Sequence, residues 1–320
     1  MKKFLLMPPP KTLVLGPVLF WLGGCASTHV ASVSHPSEPW NEGGLTGRRY
    51  QTDHFEFFST IHDAEFEAEI PPFLESAYRQ FEFTLPTPSE PKRPMPTYLF
   101  GSRAEWEQFT RRRFPERFDV YSRIRSGGFT EGDTSVSFFV NRATTLATLA
   151  HEGWHQYVGA RCRGPVPAWL NEGFACFHEA VETSTGRPRF TPGKNSHRIN
   201  SLRDGLQRDD VLTLRQILET DAGTVISRED SVRTQVYYAQ TWALVMFLRS
   251  GVNGRYASKL HALISDVAGD EYRVRESAAR LRKHAPDASD AAVVFEEYFG
   301  VHPDDLNAEY YDYLVRTAGY

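Results

Sequence analysis

Two histidines and a glutamate in the pentapeptide HEGWH, residues 151–155, are the side chains of this sequence best suited to catalysis. Histidines four positions apart on a helix lie on one face, one turn apart, so both imidazoles reach a common ion. Glu152 lies beside that face, where a carboxylate can act as a base toward a metal-bound water. A catalytic zinc site needs a third protein ligand, and Glu172 is the candidate. The pattern therefore predicts a zinc site at His151, His155 and Glu172 with Glu152 as the general base.

Two predicted helices position these residues. Apolar side chains recur at three- and four-residue steps from Leu146 to Val158, as on one face of a helix, and Gly159 is expected to end it. A second helix, which carries Glu172, is predicted over residues 168–182 after two prolines. The alternative is that both histidines are ordinary packing or surface residues and that the glutamate is a solvated charge.

Glu179 follows Glu172 by seven residues, or two helical turns, and is expected on the same face of the second helix. A carboxylate there would accept the free ring N–H of His151 or His155 and fix the tautomer that binds metal. We therefore predict that Glu179 orients one of the two metal-binding histidines.

The same residues resemble those of the gluzincin metallopeptidases. In that class two histidines of an HExxH string and a glutamate on a later helix bind zinc. The string WLNEGFA, residues 169–175, is similar to the third-ligand helix of the aminopeptidase N-like family. The resemblance implies a thermolysin-like zincin core in which His151, His155 and Glu172 bind one Zn²⁺ ion. Glu152 would be the base and proton shuttle.

The aminopeptidases also carry a later tyrosine that stabilises the oxyanion. Tyr238 lies 66 residues after Glu172, at the start of a long apolar helix. The resemblance implies Tyr238 as the oxyanion donor, with the neighbouring Tyr237 as its rival. Most tyrosines on apolar helices pack in a core, which is the alternative role for both.

A closer resemblance is to a bacterial group known only as peptidase MA-like domains of unknown function. The strings that carry it are HEGWHQ at 151–156, PAWLNEG at 167–173, YAQ at 238–240, FG at 299–300 and YL at 313–314. Two features depart from the aminopeptidases. The connection of 16 residues between His155 and Glu172 is shorter than theirs, and the motif that binds a free amino end is missing. Endopeptidase and exopeptidase action therefore both stay open.

The amino-terminal segment is typical of a secretion signal. Three lysines accompany an apolar stretch, residues 12–24, that is too short to span a bilayer. The sequence LGG before Cys25 resembles the lipobox of bacterial lipoproteins, which implies cleavage and lipid attachment at Cys25; a plain secretory signal is the alternative. We predict a signal peptide over 1–24, a flexible tether over 25–47 and a lipid-anchored enzyme on the extracytoplasmic side of the bacterial cell envelope.

The charge of the chain argues against nucleic acid as a partner. The formal net charge is −4, and loss of the three leader lysines, with no acid, lowers it to −7, whereas nucleic-acid binding requires a strong positive balance. The expected partners are a peptide or protein substrate and, through the lipid anchor, the membrane. The substrate sequence and the oligomeric state are not indicated.

Two cysteines flank the connection between the predicted ligand helices. Cys162 follows the first helix and Cys176 lies one turn beyond Glu172. An oxidising exterior permits a disulfide between them, which would join the two helices. Free buried thiols or a thiolate ligand to zinc are the alternatives.

The remaining pattern predicts an α+β fold. Strands are predicted over 49–59, 97–100 and 135–140, and the last is expected to border the substrate cleft. Helices are predicted over 62–83, 102–113, 197–207, 214–219, 231–250, 255–267, 271–281, 288–299 and 304–316. Early strands and late helices favour a small mixed sheet with helices over 48–182, followed by an all-helical half over 183–320.

These features together predict a zinc-dependent metallopeptidase that hydrolyses peptide bonds outside the cytoplasm, with water activated by Glu152. Two alternatives remain from the sequence. One is a catalytically silent surface lipoprotein that keeps the peptidase frame for binding. The other is a zinc hydrolase that acts on a non-peptide amide.

Overall fold

A computed structural model of the protein describes residues 35–125, 127–183, 187–220, 223, 231–269, 271–282 and 290–320. The predicted signal peptide and the lipidation candidate Cys25 lie outside the described residues. The described chain belongs to one compact unit, which contains both the sheet and the later helices. Among the described helices, none combines the length and the apolar character needed to cross a bilayer.

A six-stranded mixed sheet forms the amino-terminal part of this unit. Its strands are β1 (Ser37–Glu42), β2 (Leu45–Gln51), β3 (Phe55–Ser59), β4 (Met95–Phe100), β5 (Gly128–Glu131) and β6 (Thr134–Phe138), in the order β1-β2-β3-β4-β6-β5. The pairs β3/β4 and β4/β6 are parallel, and the other pairs are antiparallel. A small hairpin joins β7 (Val181–Glu182) to β8 (Arg189–Phe190). The α+β class predicted from the sequence is therefore confirmed.

Two predictions near the amino terminus need correction. The single strand expected over 49–59 is two antiparallel strands, because Thr52 turns the chain, with its N–H bonded to the carbonyl oxygen of Phe55 at 2.9 Å. The expected tether over 25–47 reaches too far, since β1 begins at Ser37 and pairs with β2 along its whole length. Trp40 explains this: its buried ring packs against Phe58 of the sheet.

The helices follow the periodicity of the sequence closely. They are α1 (Ala64–Thr84), α2 (Arg103–Arg113), α3 (Phe118–Tyr121), α4 (Arg142–Arg161), α5 (Ala168–Phe177), α6 (Ser196–Gln207), α7 (Leu214–Glu219), α8 (Ser231–Ser250), α9 (Ala257–Gly269), α10 (Glu271–Arg282), α11 (Asp290–Phe299) and α12 (Pro303–Ala318). Short 3-10 turns lie at Pro115–Arg117, Pro192–Lys194 and Val252–Gly254. Ser102 caps α2 as predicted, in a capping box with Glu105.

Two hydrophobic clusters cover the two faces of the sheet. Side chains alternate between the faces of a strand. Leu99 of β4 accordingly joins the larger cluster with α1, α4, α5 and the later helices, whereas Tyr98 and Phe100 join the smaller one with Trp106 of α2. The helix that carries HEGWH therefore lies on the side of the larger cluster, between the sheet and the later helices.

Gly159, predicted to end α4, lies inside it. The helix continues to Arg161 and ends where the N–H of Cys162 bonds to the carbonyl oxygen of Val158 at 2.9 Å. A Cβ atom on Gly159 would lie 2.6 Å from the carbonyl oxygen of Gly132, in the turn between β5 and β6. The glycine is thus required by close packing of the helix on the sheet and not by a helix end.

Candidate metal centre

Helix α4 is fixed to the sheet through a buried amide. The Gln156 side chain donates to the carbonyl oxygens of Pro96 at 2.8 Å and Asp133 at 2.9 Å, and accepts from the Thr97 hydroxyl at 3.1 Å. Asn141 caps the amino end of the helix by accepting from the N–H of Thr144. The side-chain amide of Gln156 makes these three hydrogen bonds in a buried position. Rotation or sliding of α4 would therefore break several buried bonds.

Three ligand atoms converge at one point. Nε2 of His151 lies 3.3 Å from Nε2 of His155, and Oε2 of Glu172 lies 3.6 Å and 3.4 Å from these two nitrogens. A tetrahedral zinc ion with bonds of about 2.0–2.1 Å separates its ligand atoms by about 3.3–3.4 Å. The three atoms therefore fit one face of a zinc coordination tetrahedron, and the residues predicted as ligands are brought together.

The carboxylate of Glu172 supports this fit. Its Oε2 atom is buried and has no hydrogen-bond partner among the described residues, an arrangement that is costly unless another group binds it. Burial alone would raise the pKa of this carboxyl, but His155 and His151 hold it well below its usual range. Glu172 is thus an ionised oxygen donor aimed at two imidazoles.

Neighbouring polar groups orient both imidazoles. Nδ1 of His155 lies 3.2 Å from Oδ1 of Asn171, an oxygen that also accepts from the indole N–H of Trp154 at 3.0 Å. Nδ1 of His151 lies 2.8 Å from Oε1 of Glu179. Each histidine can therefore donate its Nδ1 proton to an oxygen and leave Nε2 free as a metal ligand. Asn171 was not predicted, although it lies next to Glu172.

Glu179 contacts His151 as predicted, but not from the helix that was expected to carry it. The helix expected over 168–182 ends at Phe177. The ring of His178 packs among aromatic side chains, and β7 begins at Val181. Glu179 therefore lies beyond the helix, and the argument from a shared helical face was wrong. The contact with His151 is nonetheless present.

Sequence reasoning missed two side chains that hold Glu179. Arg198, at the start of α6, donates from Nε to Oε2 at 2.8 Å and from Nη2 to Oε1. Asn195 donates to Oε2 at 3.0 Å and to the carbonyl oxygen of Cys176 at 2.9 Å. Burial alone would raise the pKa of the Glu179 carboxyl, but Arg198 and His151 hold it well below its usual range. No motif marks these residues, since Asn195 caps a helix that follows Glu179 by more than fifteen residues and Arg198 lies at its start.

A second group of donor atoms surrounds the other nitrogen of His151. It consists of His151, Cys176 and Glu179, whose ligand atoms lie within 4.8 Å of one another. The buried guanidinium of Arg198 already binds both oxygens of Glu179, and its positive charge opposes a cation there. The group with Glu172 is therefore the better candidate for a metal ion.

The possible disulfide is not formed in the structure, in which Cys162 and Cys176 are free thiols. Cys176 is buried with Sγ 4.0 Å from Nδ1 of His151, whereas Cys162 follows the last residue of α4. Burial, opposed by Arg161, raises the pKa of the Cys162 thiol to about 11. Of the alternatives, free thiols are what the structure shows.

Glu152 is held by a residue of the sheet. The Thr130 hydroxyl of β5 lies 2.9 Å from Oε2 of Glu152 and 3.0 Å from its main-chain oxygen. Glu152 is 7% exposed, so this hydrogen bond holds a buried carboxylate that follows His151 directly in the chain. Thr130 was not predicted.

The strand expected over 135–140 is not at the edge of the sheet. Residues 134–138 form β6, which is paired on both sides, whereas β5 is the edge strand beside it. Thr130 shows that β5, and not β6, reaches Glu152.

Tyr238 of α8 lies against His151. Its ring meets the ring of His151 edge to face, with centroids 5.8 Å apart. Burial, with the carboxylates of Glu172 and Glu152, raises the pKa of Tyr238 well above its ordinary value, so its hydroxyl keeps its proton. Tyr237 is directed elsewhere and donates to the carbonyl oxygen of Thr220 at 2.9 Å.

Comparison with known proteins locates the same region. A family model described as "Protein of unknown function (DUF1570)" matches residues 145–265, a span that contains His151, His155, Glu172, Glu179 and Tyr238. The chain is similar to that family over this part of its length. No curated protein and no solved structure matches the chain.

Proposed function

We propose that the protein is a zinc-dependent metallopeptidase of the gluzincin type. The observation that supports this most strongly is the triangle of Nε2 of His151, Nε2 of His155 and Oε2 of Glu172, with sides of 3.3, 3.4 and 3.6 Å. These separations suit zinc, and two nitrogens with one carboxylate form the ligand set of catalytic zinc in thermolysin and carboxypeptidase A.

Zinc, when bound, supplies a Lewis acid and lowers the pKa of a coordinated water. Glu152 then acts as the general base: its carboxylate accepts a proton from the attacking water and delivers it to the leaving amine. Thr130 keeps that carboxylate in one orientation throughout, since its hydroxyl can donate to the ionised form and accept from the protonated one.

Tyr238 supplies a hydrogen bond to the reacting carbonyl. Its ring packs edge to face on the ring of His151. A protonated phenol fixed beside the ligands donates to the carbonyl oxygen as negative charge develops on it. Because the pKa of Tyr238 is raised, its hydroxyl stays protonated throughout the neutral pH range.

An extended peptide is the substrate that the sheet favours. β5 pairs with β6 along one edge, and its other edge pairs with no described strand. A peptide can add to such an edge through main-chain hydrogen bonds, which would bring a scissile bond near Glu152 because Thr130 of the same strand contacts it. In this respect we propose a thermolysin-like core, with the sheet edge on one side of the ligands and α8 on the other.

The enzyme is further proposed to act in the cell envelope. This rests on the leader of residues 1–24 and on Cys25 as the acylation site. A binding lipoprotein without turnover would have no need for a hydrogen bond that holds Glu152 beside the ligand triangle. The amide class, peptide or other, is decided by experiment.

The test is hydrolysis of a mixed peptide library by the purified protein loaded with zinc, followed by mass spectrometry. We expect defined cleavage products that disappear with a chelator and return with zinc. The matched control is Glu152→Gln, which should keep its zinc but lose activity by about 10²–10⁴-fold. Full zinc content with no cleavage of any peptide would exclude a peptidase, and equal activity of the two proteins would exclude this mechanism.

A further inference from the structure

Arg198 binds two separate parts of the centre with one guanidinium group. The side chain is buried, with 7% of the residue exposed. Its Nε and Nη2 atoms donate hydrogen bonds to the two carboxylate oxygens of Glu179. Its Nη1 atom donates to Oε1 of Gln235 at 2.8 Å. A planar guanidinium that binds a carboxylate through two parallel hydrogen bonds fixes both its position and its plane.

The guanidinium of Arg198 also lies over the aromatic ring of Tyr238. The central carbon of Arg198 lies 5.2 Å from the ring centroid, a distance at which a cation is attracted to an aromatic face. Gln235 and Tyr238 are three residues apart on α8 and so share one side of that helix. Arg198 therefore joins the segment after α5 to α8 directly beside His151.

These contacts form a continuous path. Oε1 of Glu179 touches Nδ1 of His151 at 2.8 Å, Arg198 touches both Glu179 and Tyr238, and the Tyr238 ring returns to His151 edge to face. One side chain thus supports a metal ligand from one direction and the tyrosine from another. Loss of the guanidinium would leave the carboxylate buried without its counter-ion and the ring without its support.

We propose that Arg198 is a positioning residue that sets both the orientation of His151, through Glu179, and the orientation of Tyr238. The proposal rests on the proposed function, because it gives these residues roles in zinc binding and turnover. It predicts that removal of the guanidinium changes zinc affinity and catalytic rate together, because Arg198 acts on His151 through Glu179 and contacts Tyr238 directly.

The first measurement is the zinc affinity of the metal-free full-length protein, by competition with a chromophoric chelator. We expect Arg198→Met to bind zinc about 10–100-fold more weakly, the usual cost of losing a residue that orients a ligand. The matched control is Arg203→Met on the same helix, where the lost arginine donates, among the described residues, to the carbonyl oxygen of Ala318 and to Asn200. Its zinc affinity should equal that of the wild type.

Arg198→Lys covers the case in which the methionine variant does not fold. It keeps the positive charge but lacks the planar fork, so its zinc affinity should also fall. Turnover gives the second readout, because the loss in kcat caused by Arg198→Lys should be smaller when Tyr238 is already phenylalanine. A role in overall stability alone would give additive effects.

The outcomes separate two failures. If the wild type binds zinc and both Arg198 variants bind it equally well, the inference about Arg198 is wrong and the proposed function stands. If the wild type itself binds no zinc, the proposed function fails and the inference falls with it. Additive losses in kcat would overturn the part that concerns Tyr238.

Discussion

Oε2 of Glu172 lies 3.4 Å from Nε2 of His155, yet no hydrogen bond joins them and the oxygen is buried. The carboxylate is therefore placed to bind a metal ion together with the histidine. We predict that zinc stabilises the protein against unfolding, by about 4 kcal/mol at a free zinc concentration 1,000 times the Kd. Glu172→Gln, which keeps the shape but not the charge, should lose most of this gain. Thermal denaturation with and without zinc measures both effects.

A control for this prediction is Glu182→Gln. Glu182 is a half-buried residue of β7 that pairs with Lys194 and not with the histidines. Its response to zinc should match that of the wild type. A full zinc-dependent stabilisation of the Glu172→Gln protein would show that the ion binds elsewhere.

Two neighbouring tyrosines allow a matched pair of substitutions. Tyr238→Phe should lower kcat by about 10²-fold with little change in KM or zinc content, because a donor to the developing oxyanion is lost. Tyr237→Phe removes a hydrogen bond to the Thr220 carbonyl oxygen and should cost about 1 kcal/mol of stability without changing kcat. Steady-state kinetics and urea unfolding of both variants test the assignment, which is reversed if Tyr237→Phe is the inactive one.

Thr130 provides a test of how Glu152 is held. Thr130→Val keeps the shape of the side chain but removes the hydroxyl that lies 2.9 Å from Oε2 of Glu152. A hydrogen bond to a charged group contributes about 1.5–3 kcal/mol, so we expect kcat/KM to fall about tenfold or more while zinc content is unchanged. Thr130→Ser should retain activity. Wild-type kinetics in the valine variant would mean that the strand does not orient the base.

The sequence predicted most helix limits and the meeting of the two histidines well, because both depend on local spacing. The periodicity of α7 and α8 gives their observed limits, Leu214–Glu219 and Ser231–Ser250. Four-residue spacing on one helix is sufficient to bring the imidazoles of His151 and His155 together. Local patterns of this kind need no knowledge of how distant elements pack.

The missed features all depend on packing between distant elements. Arg198 and Thr130 reach the centre from a later helix and from the sheet edge, and no local pattern marks either one. The end of α5 was misplaced because Phe177 and His178 enter an aromatic cluster, which decides the helix limit more strongly than helix propensity does. The disulfide was expected from compartment and spacing alone, whereas Cys176 faces His151.

His178 predicts a pH dependence of stability. Its ring is fully buried among Phe81, Trp154 and Phe177, and both nitrogens lack hydrogen-bond partners among the described residues. Burial, with the positive charge of Arg249, lowers the pKa of His178 to about 3. In the unfolded chain a histidine pKa is about 6.5. Between these two values the unfolded state binds a proton that the folded state does not.

Stability must therefore fall as the pH drops below about 6.5, by up to about 1.4 kcal/mol per pH unit for this one group. His178→Leu removes the titrating ring, so between pH 6.5 and pH 5 the wild type should lose about 2 kcal/mol more than the variant. Urea unfolding across this range measures the difference. His261→Gln, at an exposed position of α9, should follow the wild type. Parallel curves for wild type and His178→Leu would show that the ring is hydrated in the folded protein.

Gly159 tests the packing of the ligand helix on the sheet. In a helix interior, Gly→Ala normally adds about 1 kcal/mol of stability. At this position the new Cβ would lie 2.6 Å from the carbonyl oxygen of Gly132, and relief of such a clash costs about 1–3 kcal/mol. We expect Gly159→Ala to lower the free energy of unfolding and, because Gly132 directly follows β5, to lower kcat/KM by displacing Thr130 from Glu152. Urea unfolding and steady-state kinetics check the two effects. A stabilised and fully active variant would mean that α4 and the β5–β6 turn are farther apart than 2.6 Å implies.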